Sequence, residues 1–142
     1  ETGPETSDVL KGFLDGLHST GVAVNLDPAN LVMVTGDDPV HAVHTLKDYI
    51  VHTHAKDGVL LKKTNPEIIY GVIPHPDDEL LKGPYFKEVP LGTGSVPFPA
   101  YLKALDEIGY KGFLTIEREG GSDPVSDIVL AADFLRDCIA QG

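Results

Sequence analysis

Asp27, His54 and Glu117 stand at or next to the ends of three short apolar runs, and those runs are separated by helix-like segments. A carboxylate, an imidazole and a carboxylate delivered at successive strand ends make a divalent-metal site at one mouth of an α/β structure. Glu1 is a natural fourth ligand. Three carboxylates and one imidazole favour a hard or borderline cation such as Mn²⁺, Mg²⁺, Co²⁺ or Zn²⁺. Thiolate-preferring metals do not fit, because the single cysteine, Cys138, lies far along the chain. A cation held this way would polarise a carbonyl and a neighbouring hydroxyl of a sugar and ease removal of the proton between them. Flanking carboxylates would then act as general base and acid, each worth about 10²–10⁴-fold.

The elements that must position these groups follow from periodicity. Ser7 suits an N-cap for a helix over residues 8–19, where Val9, Leu10, Phe13, Leu14 and Leu17 form one apolar stripe. Residues 22–26 read as a strand buried on both faces, and Pro28 forbids its continuation. Asp38-Pro39 starts a helix carrying Val40, Val43 and Leu46. Residues 49–54 are the second strand. Residues 58–97 hold Pro66, Pro74, Pro76, Pro84, Pro90 and Pro97 and read as a long loop over the strand ends, a lid or binding segment. A helix opens at Phe98 or Pro99 and stops at Gly109; residues 113–116 form the third strand. Asp123-Pro124 begins a last helix through Ile128, Ala131, Ala132, Leu135 and Cys138.

Strand–helix alternation implies a single α/β domain over residues 1–142 with parallel strands and right-handed crossovers, whose functional groups gather at the carboxyl ends of the strands. Alternation also pairs Asn25 with Asp27, His52 with His54, and Thr115 with Glu117 on common faces. That polar layer would orient the ligands from below. Asp27 equally suits a helix cap or Asx turn before Pro28, and His54 a hydrogen-bonded core histidine. Glu117 and Glu119 face one side; Glu117 is preferred as ligand because it follows the apolar run directly. Lys56 and Arg118 suit either an anionic substrate group or solvated salt bridges. His41, His44 and His75 read as surface residues.

Eleven basic against twenty-two acidic residues give a formal charge of −11. Such a surface repels phosphate backbones and anionic lipid, so no nucleic-acid or membrane partner is expected. No run approaches the roughly 20 apolar residues of a membrane span. One cysteine excludes an internal disulfide and fits a reducing, cytoplasmic setting. Gly92-Thr93-Gly94 lacks the third glycine of a dinucleotide loop.

Four motifs carry a resemblance: Val24-Asn25-Leu26-Asp27-Pro28-Ala29-Asn30-Leu31, Val51-His52-Thr53-His54-Ala55-Lys56-Asp57, Pro90-Leu91-Gly92-Thr93-Gly94, and Leu114-Thr115-Ile116-Glu117-Arg118-Glu119. Together they resemble the sugar phosphate isomerase/epimerase group, the xylose isomerase-like (β/α)₈ TIM barrels. The resemblance spans the chain but only the C-terminal half of such a barrel, which needs roughly 200 residues or more. It implies that Glu1, Asp27, His54 and Glu117 hold the metal, and that Glu1 and Glu117 double as the catalytic acid/base pair through an enediolate. Asn30 stands where many members carry a substrate-binding histidine. Asn30, His52, Lys56 and Glu119 are the candidate substrate-binding residues.

The expected function is therefore metal-dependent isomerisation or epimerisation of a sugar or sugar phosphate, a small-molecule partner. A related lyase or dehydratase, and a non-catalytic fragment lacking half its pocket, are the alternatives. Because Glu1 opens the chain where its strand should already have ended, either a missing N-terminal half or pairing with a second copy is expected.

Overall fold

The computed structural model describes residues 1–74 and 84–141. Its frame is a three-stranded parallel sheet in the order β1 (Val24–Leu26), β2 (Ile50–Ala55), β5 (Leu114–Ile116). The register pairs Asn25 with His52, Leu26 with Thr53, Thr53 with Leu114 and His54 with Thr115. Helices α3 (Pro39–Thr45) and α5 (Phe98–Glu107) lie on the crossovers between these strands, and α6 (Pro124–Gln141) follows β5.

Chemistry divides the two faces of the sheet. On one, Val24, Leu26 and Ala55 are buried with Val43, Leu46, Phe98, Tyr101, Ala104 and Leu105. Burying each large apolar side chain there contributes about 1.5–3 kcal/mol. The opposite face carries Asn25, Asp27, His52, His54, Thr115 and Glu117. The strand expected over residues 22–26 is only Val24–Leu26, with apolar side chains on one face rather than both, and Val22 lies before it, exposed. Parallel strands bring all their carboxyl ends to one rim, so period-2 alternation stacks the polar layer beneath that rim.

Helix α1 (Ser7–Asp15) starts one residue earlier than its sequence implies and ends four sooner. Ser7 lies inside the helix; its N–H donates to Asp37 Oδ2 at 2.7 Å, so a carboxylate from another loop does the capping. Val9 and Phe13 of the predicted stripe stay exposed, while Leu14 is buried. Asp27 caps a one-turn helix α2 (Pro28–Asn30), which continues into a π-helical turn, Leu31–Thr35, ended by Gly36 at φ 72°.

Residues 58–97 are not one long loop. Asp57–Leu60 (β3) pairs antiparallel with Phe86–Val89 (β4), and Pro66–Ile69 forms a short helix, α4. The prolines fall outside both strands, where they do not disturb the ladder. His75 lies outside the described residues, whereas His41 and His44 are exposed as expected.

Asp57 organises the return from β4 to α5. Its carboxylate, 1% exposed, accepts four backbone N–H groups: Gly58 (2.8 Å) and Val96 (3.1 Å) on Oδ1, Gly92 (3.0 Å) and Gly94 (2.8 Å) on Oδ2. A Cβ on Gly94 would lie 2.2 Å from Asp57 Oδ1, so glycine is required there. Asp57→Asn replaces one acceptor oxygen by a donor facing donors. We expect a loss of about 2–4 kcal/mol in urea unfolding. An unchanged midpoint would refute the role.

Candidate functional site

Three segments deliver the acids and a fourth the imidazole. Thr2 N–H donates to Asn25 O at 3.1 Å. The Thr2 hydroxyl donates to Asp27 O at 3.0 Å and lies 3.0 Å from the Asp27 N–H. This clasp lays the first residues along β1 and brings Glu1 to the rim. Asp27 follows β1, His54 is the penultimate residue of β2, and Glu117 follows β5, where its N–H extends the ladder to Ala55 O at 3.2 Å.

The four side chains converge. One ligand atom from each of Glu1, Asp27, His54 and Glu117 lies within 4.8 Å of all the others. His54 Nδ1 stands 3.6 Å from Glu1 Oε1, 3.4 Å from Asp27 Oδ2 and 3.4 Å from Glu117 Oε2. Donors on a tetrahedron with bonds of 2.0–2.2 Å are separated by about 3.3–3.6 Å, and the three distances from His54 Nδ1 match that spacing. The donor set, three carboxylates and one imidazole, fits a hard or borderline divalent ion.

The helix-cap reading of Asp27 holds on one oxygen, and the other is turned to the cluster. Oδ1 accepts from Ala29 N–H (2.8 Å) and Asn30 N–H (3.1 Å) as a helix cap, while Oδ2 faces His54. The side chain is 0% exposed, and burial pushes its carboxyl up to about 6 against the opposing pull of those N–H groups, Lys56 and His54. A buried acid whose ionisation is made costlier by desolvation is a group that a cation would relieve.

Orientation comes from the layer below. His54 Nε2 lies 3.1 Å from Asn25 Nδ2, and Asn25 Oδ1 is buried without a partner. When Nδ1 serves as a ligand, the ring proton sits on Nε2; a half-turn of the Asn25 amide presents that orphaned oxygen to it. His52 donates to or accepts from Thr115 Oγ1 at 2.9 Å and meets the His54 ring edge-on at 6.0 Å. It belongs to this supporting layer and does not line the cleft.

A cleft of about 330 Å³ opens above the cluster, lined by Glu1, Thr2, Gly3, Asn30, Lys56, Tyr70, Glu117 and Glu119. Asn30, Lys56 and Glu119, three of the four candidate substrate-binding residues, line this cleft. Asn30 Nδ2 donates to Glu1 Oε1 at 2.9 Å and Thr2 O at 3.2 Å. Lys56 is not solvated: 4% exposed, it donates to Glu117 Oε2 at 2.8 Å and to Glu119 Oε2. Burial pulls the ammonium toward deprotonation, but the hydrogen bonds to Glu117 and Glu119 outweigh it and raise its pKa. The same bond lowers that of Glu119. Arg118 is also buried, turned from the cleft onto Glu88 (2.6 Å) and Asp127 (2.7 Å). Periodicity passed over Thr2, Gly3 and Tyr70; Tyr70 follows α4, within a segment whose composition reads as loop.

The family model described as xylose isomerase-like TIM barrel matches residues 1–138. The chain belongs to this family. Among solved structures, the TIM-barrel likeness includes the xylose isomerase domain protein from Planctomyces limnophilus at TM-score 0.74 and 34% identity, covering 96% of this chain and 44% of that one. A D-tagatose 3-epimerase-like protein shares the fold at TM-score 0.61 and 22% identity, covering 96% and 43%. The chain thus spans less than half the length of these relatives, and its parallel sheet is a partial (β/α)₈ barrel. A comparison with curated proteins finds no match. No helix among the described residues is long and apolar enough to cross a membrane.

Asp27 yields a prediction with a definite sign. Its folded pKa, about 6, lies above the roughly 3.9 of a free aspartate. The native state therefore holds the extra proton between those values, and metal-free stability falls as pH rises through that window. Asp27→Asn keeps the cap oxygen and removes the charge. In chelator-treated protein the variant should match wild type below about pH 4 and exceed it by roughly 2–3 kcal/mol at pH 7. A variant less stable than wild type at pH 7 would contradict the assignment.

Proposed function

We propose that the protein is a divalent-metal-dependent isomerase or epimerase, moving a proton between positions of a sugar or sugar phosphate through an enediolate. The observation that carries this reading is the convergence of Glu1, Asp27, His54 and Glu117 within 4.8 Å at the carboxyl ends of parallel strands. Family membership supports it, as does the likeness to a D-tagatose 3-epimerase-like fold. A divalent cation held by these four residues supplies polarisation of the substrate carbonyl and adjacent hydroxyl.

The chain's own groups do the rest. Each glutamate is held at the oxygen nearest His54 Nδ1: Glu1 Oε1 by Asn30, Glu117 Oε2 by Lys56. Glu1 Oε2 and Glu117 Oε1 are then the atoms left to exchange protons. One carboxylate takes the proton from the substrate carbon, leaving the electron pair in the enediolate. Delivery of a proton from the other glutamate, which enters the step as the carboxylic acid on the opposite face, inverts that centre; return of the abstracted proton to the neighbouring carbon, with the hydroxyl proton passing between the two oxygens, isomerises the sugar. Fixing the carboxylates in advance avoids the entropy of orienting them during reaction.

Glu117→Gln should lower kcat/KM for a responsive ketose by about 10²–10⁴-fold, and His54→Ala should abolish both metal content and turnover. Reaction in D₂O should place solvent deuterium at the inverted or newly protonated carbon. Full turnover by Glu117→Gln, or product free of deuterium in enzyme that does not exchange internally, would reject the mechanism.

A further inference from the structure

Resting on the sugar reading, the charge of the cleft addresses whether its substrate carries a phosphate. The titratable groups lining it are Glu1, Glu117, Glu119, Lys56 and the neutral phenol of Tyr70, with Asp27 and His54 beneath. Four carboxylates face one ammonium, so even a bound divalent cation leaves the site anionic. A phosphate monoester brings close to two further negative charges at neutral pH and needs cationic or N–H partners.

The described residues offer few. Lys56 already donates to Glu117 and Glu119, with Glu88 Oε2 at 3.9 Å on a third side. Arg118 is buried between Glu88 and Asp127, away from the cleft. No other Lys or Arg among the described residues lines it. The first N–H of α1, which could have served as an anion site, is taken by Asp37. What the cleft does offer suits hydroxyl groups: the Tyr70 phenol, the Thr2 carbonyl and the Glu119 carboxylate, which is 69% exposed.

We propose that the substrate is an uncharged polyhydroxy carbonyl compound, and that Glu119 sets this preference. Its carboxylate both accepts from a sugar hydroxyl and occupies the ammonium of Lys56 that a phosphate would otherwise engage. Glu119→Gln removes the competing charge while keeping a hydrogen-bonding oxygen of the same reach.

The test is calorimetric binding to the full-length Mn²⁺-loaded protein. The probes are a panel of ketopentoses and ketohexoses, their terminal phosphates, and inorganic phosphate. At low ionic strength at least one neutral sugar should bind in a metal-dependent way. Its phosphate ester should bind roughly tenfold or more weakly, the gap narrowing at high salt as the charges are screened. In Glu119→Gln the gap should shrink at least threefold. A phosphate ester binding as tightly as its parent sugar would overturn the inference while leaving the sugar reading intact. An unchanged gap in Glu119→Gln would overturn the role of Glu119. If Mn²⁺ is held but no sugar of either kind binds, the sugar reading itself fails and the inference falls with it.

Discussion

Like charges brought together at one rim, one of them fully out of water, are the constraint around which this structure is arranged. Three carboxylates surround a single imidazole nitrogen at 3.4–3.6 Å, and one of them, Asp27, is fully buried. Repulsion among such groups is strong where solvent is excluded. Lys56 offsets part of it from one side, and the helix-cap N–H groups of Ala29 and Asn30 offset part from another. The remaining charge faces the common point between the ligand atoms, which a divalent cation fits in both size and sign.

Backbone clasps make that arrangement affordable. Thr2 ties the first residues to β1, so that Glu1 is placed by main-chain geometry as well as by Asn30. Asp57, one residue after Lys56, gathers four N–H groups of its own and the 92–96 turn, which pins the end of β2. Glu88 joins Arg118 and the N–H groups of Glu119 and Gly120, tying the hairpin to the loop after β5. The converging acids therefore sit in segments fixed by main-chain contacts. The exposed Glu119 carboxylate is held on its inner side by Lys56.

The parallel strands and their rim were legible because each strand is a short apolar run closed by a chemically distinctive residue. Asp27 with Pro28, His54 beyond Thr53, and Glu117 after Ile116 mark the ends by composition alone. Alternation then carried the reading one layer deeper, to Asn25, His52 and Thr115. It also places Lys56 on the face of His54, a signal that could have predicted its burial. Other features were hidden. The hairpin pairs four residues with four that lie more than twenty positions later, across a proline-rich stretch, so local pattern says little about it. The cap on α1 comes from Asp37, thirty residues away, and the clasp of Thr2 is a tertiary contact. Tyr70 reaches the cleft because of where its segment folds back, which no periodicity records.

The central claim is that Glu1, Asp27, His54 and Glu117 ligate one ion together. Anomalous diffraction at the manganese edge, from crystals of the protein grown with Mn²⁺, tests it most directly. The account predicts a single strong peak bonded to His54 Nδ1 and to one oxygen of each carboxylate, with bonds of about 2.0–2.4 Å. A peak held by other residues, or no peak at a manganese concentration well above millimolar, would contradict it.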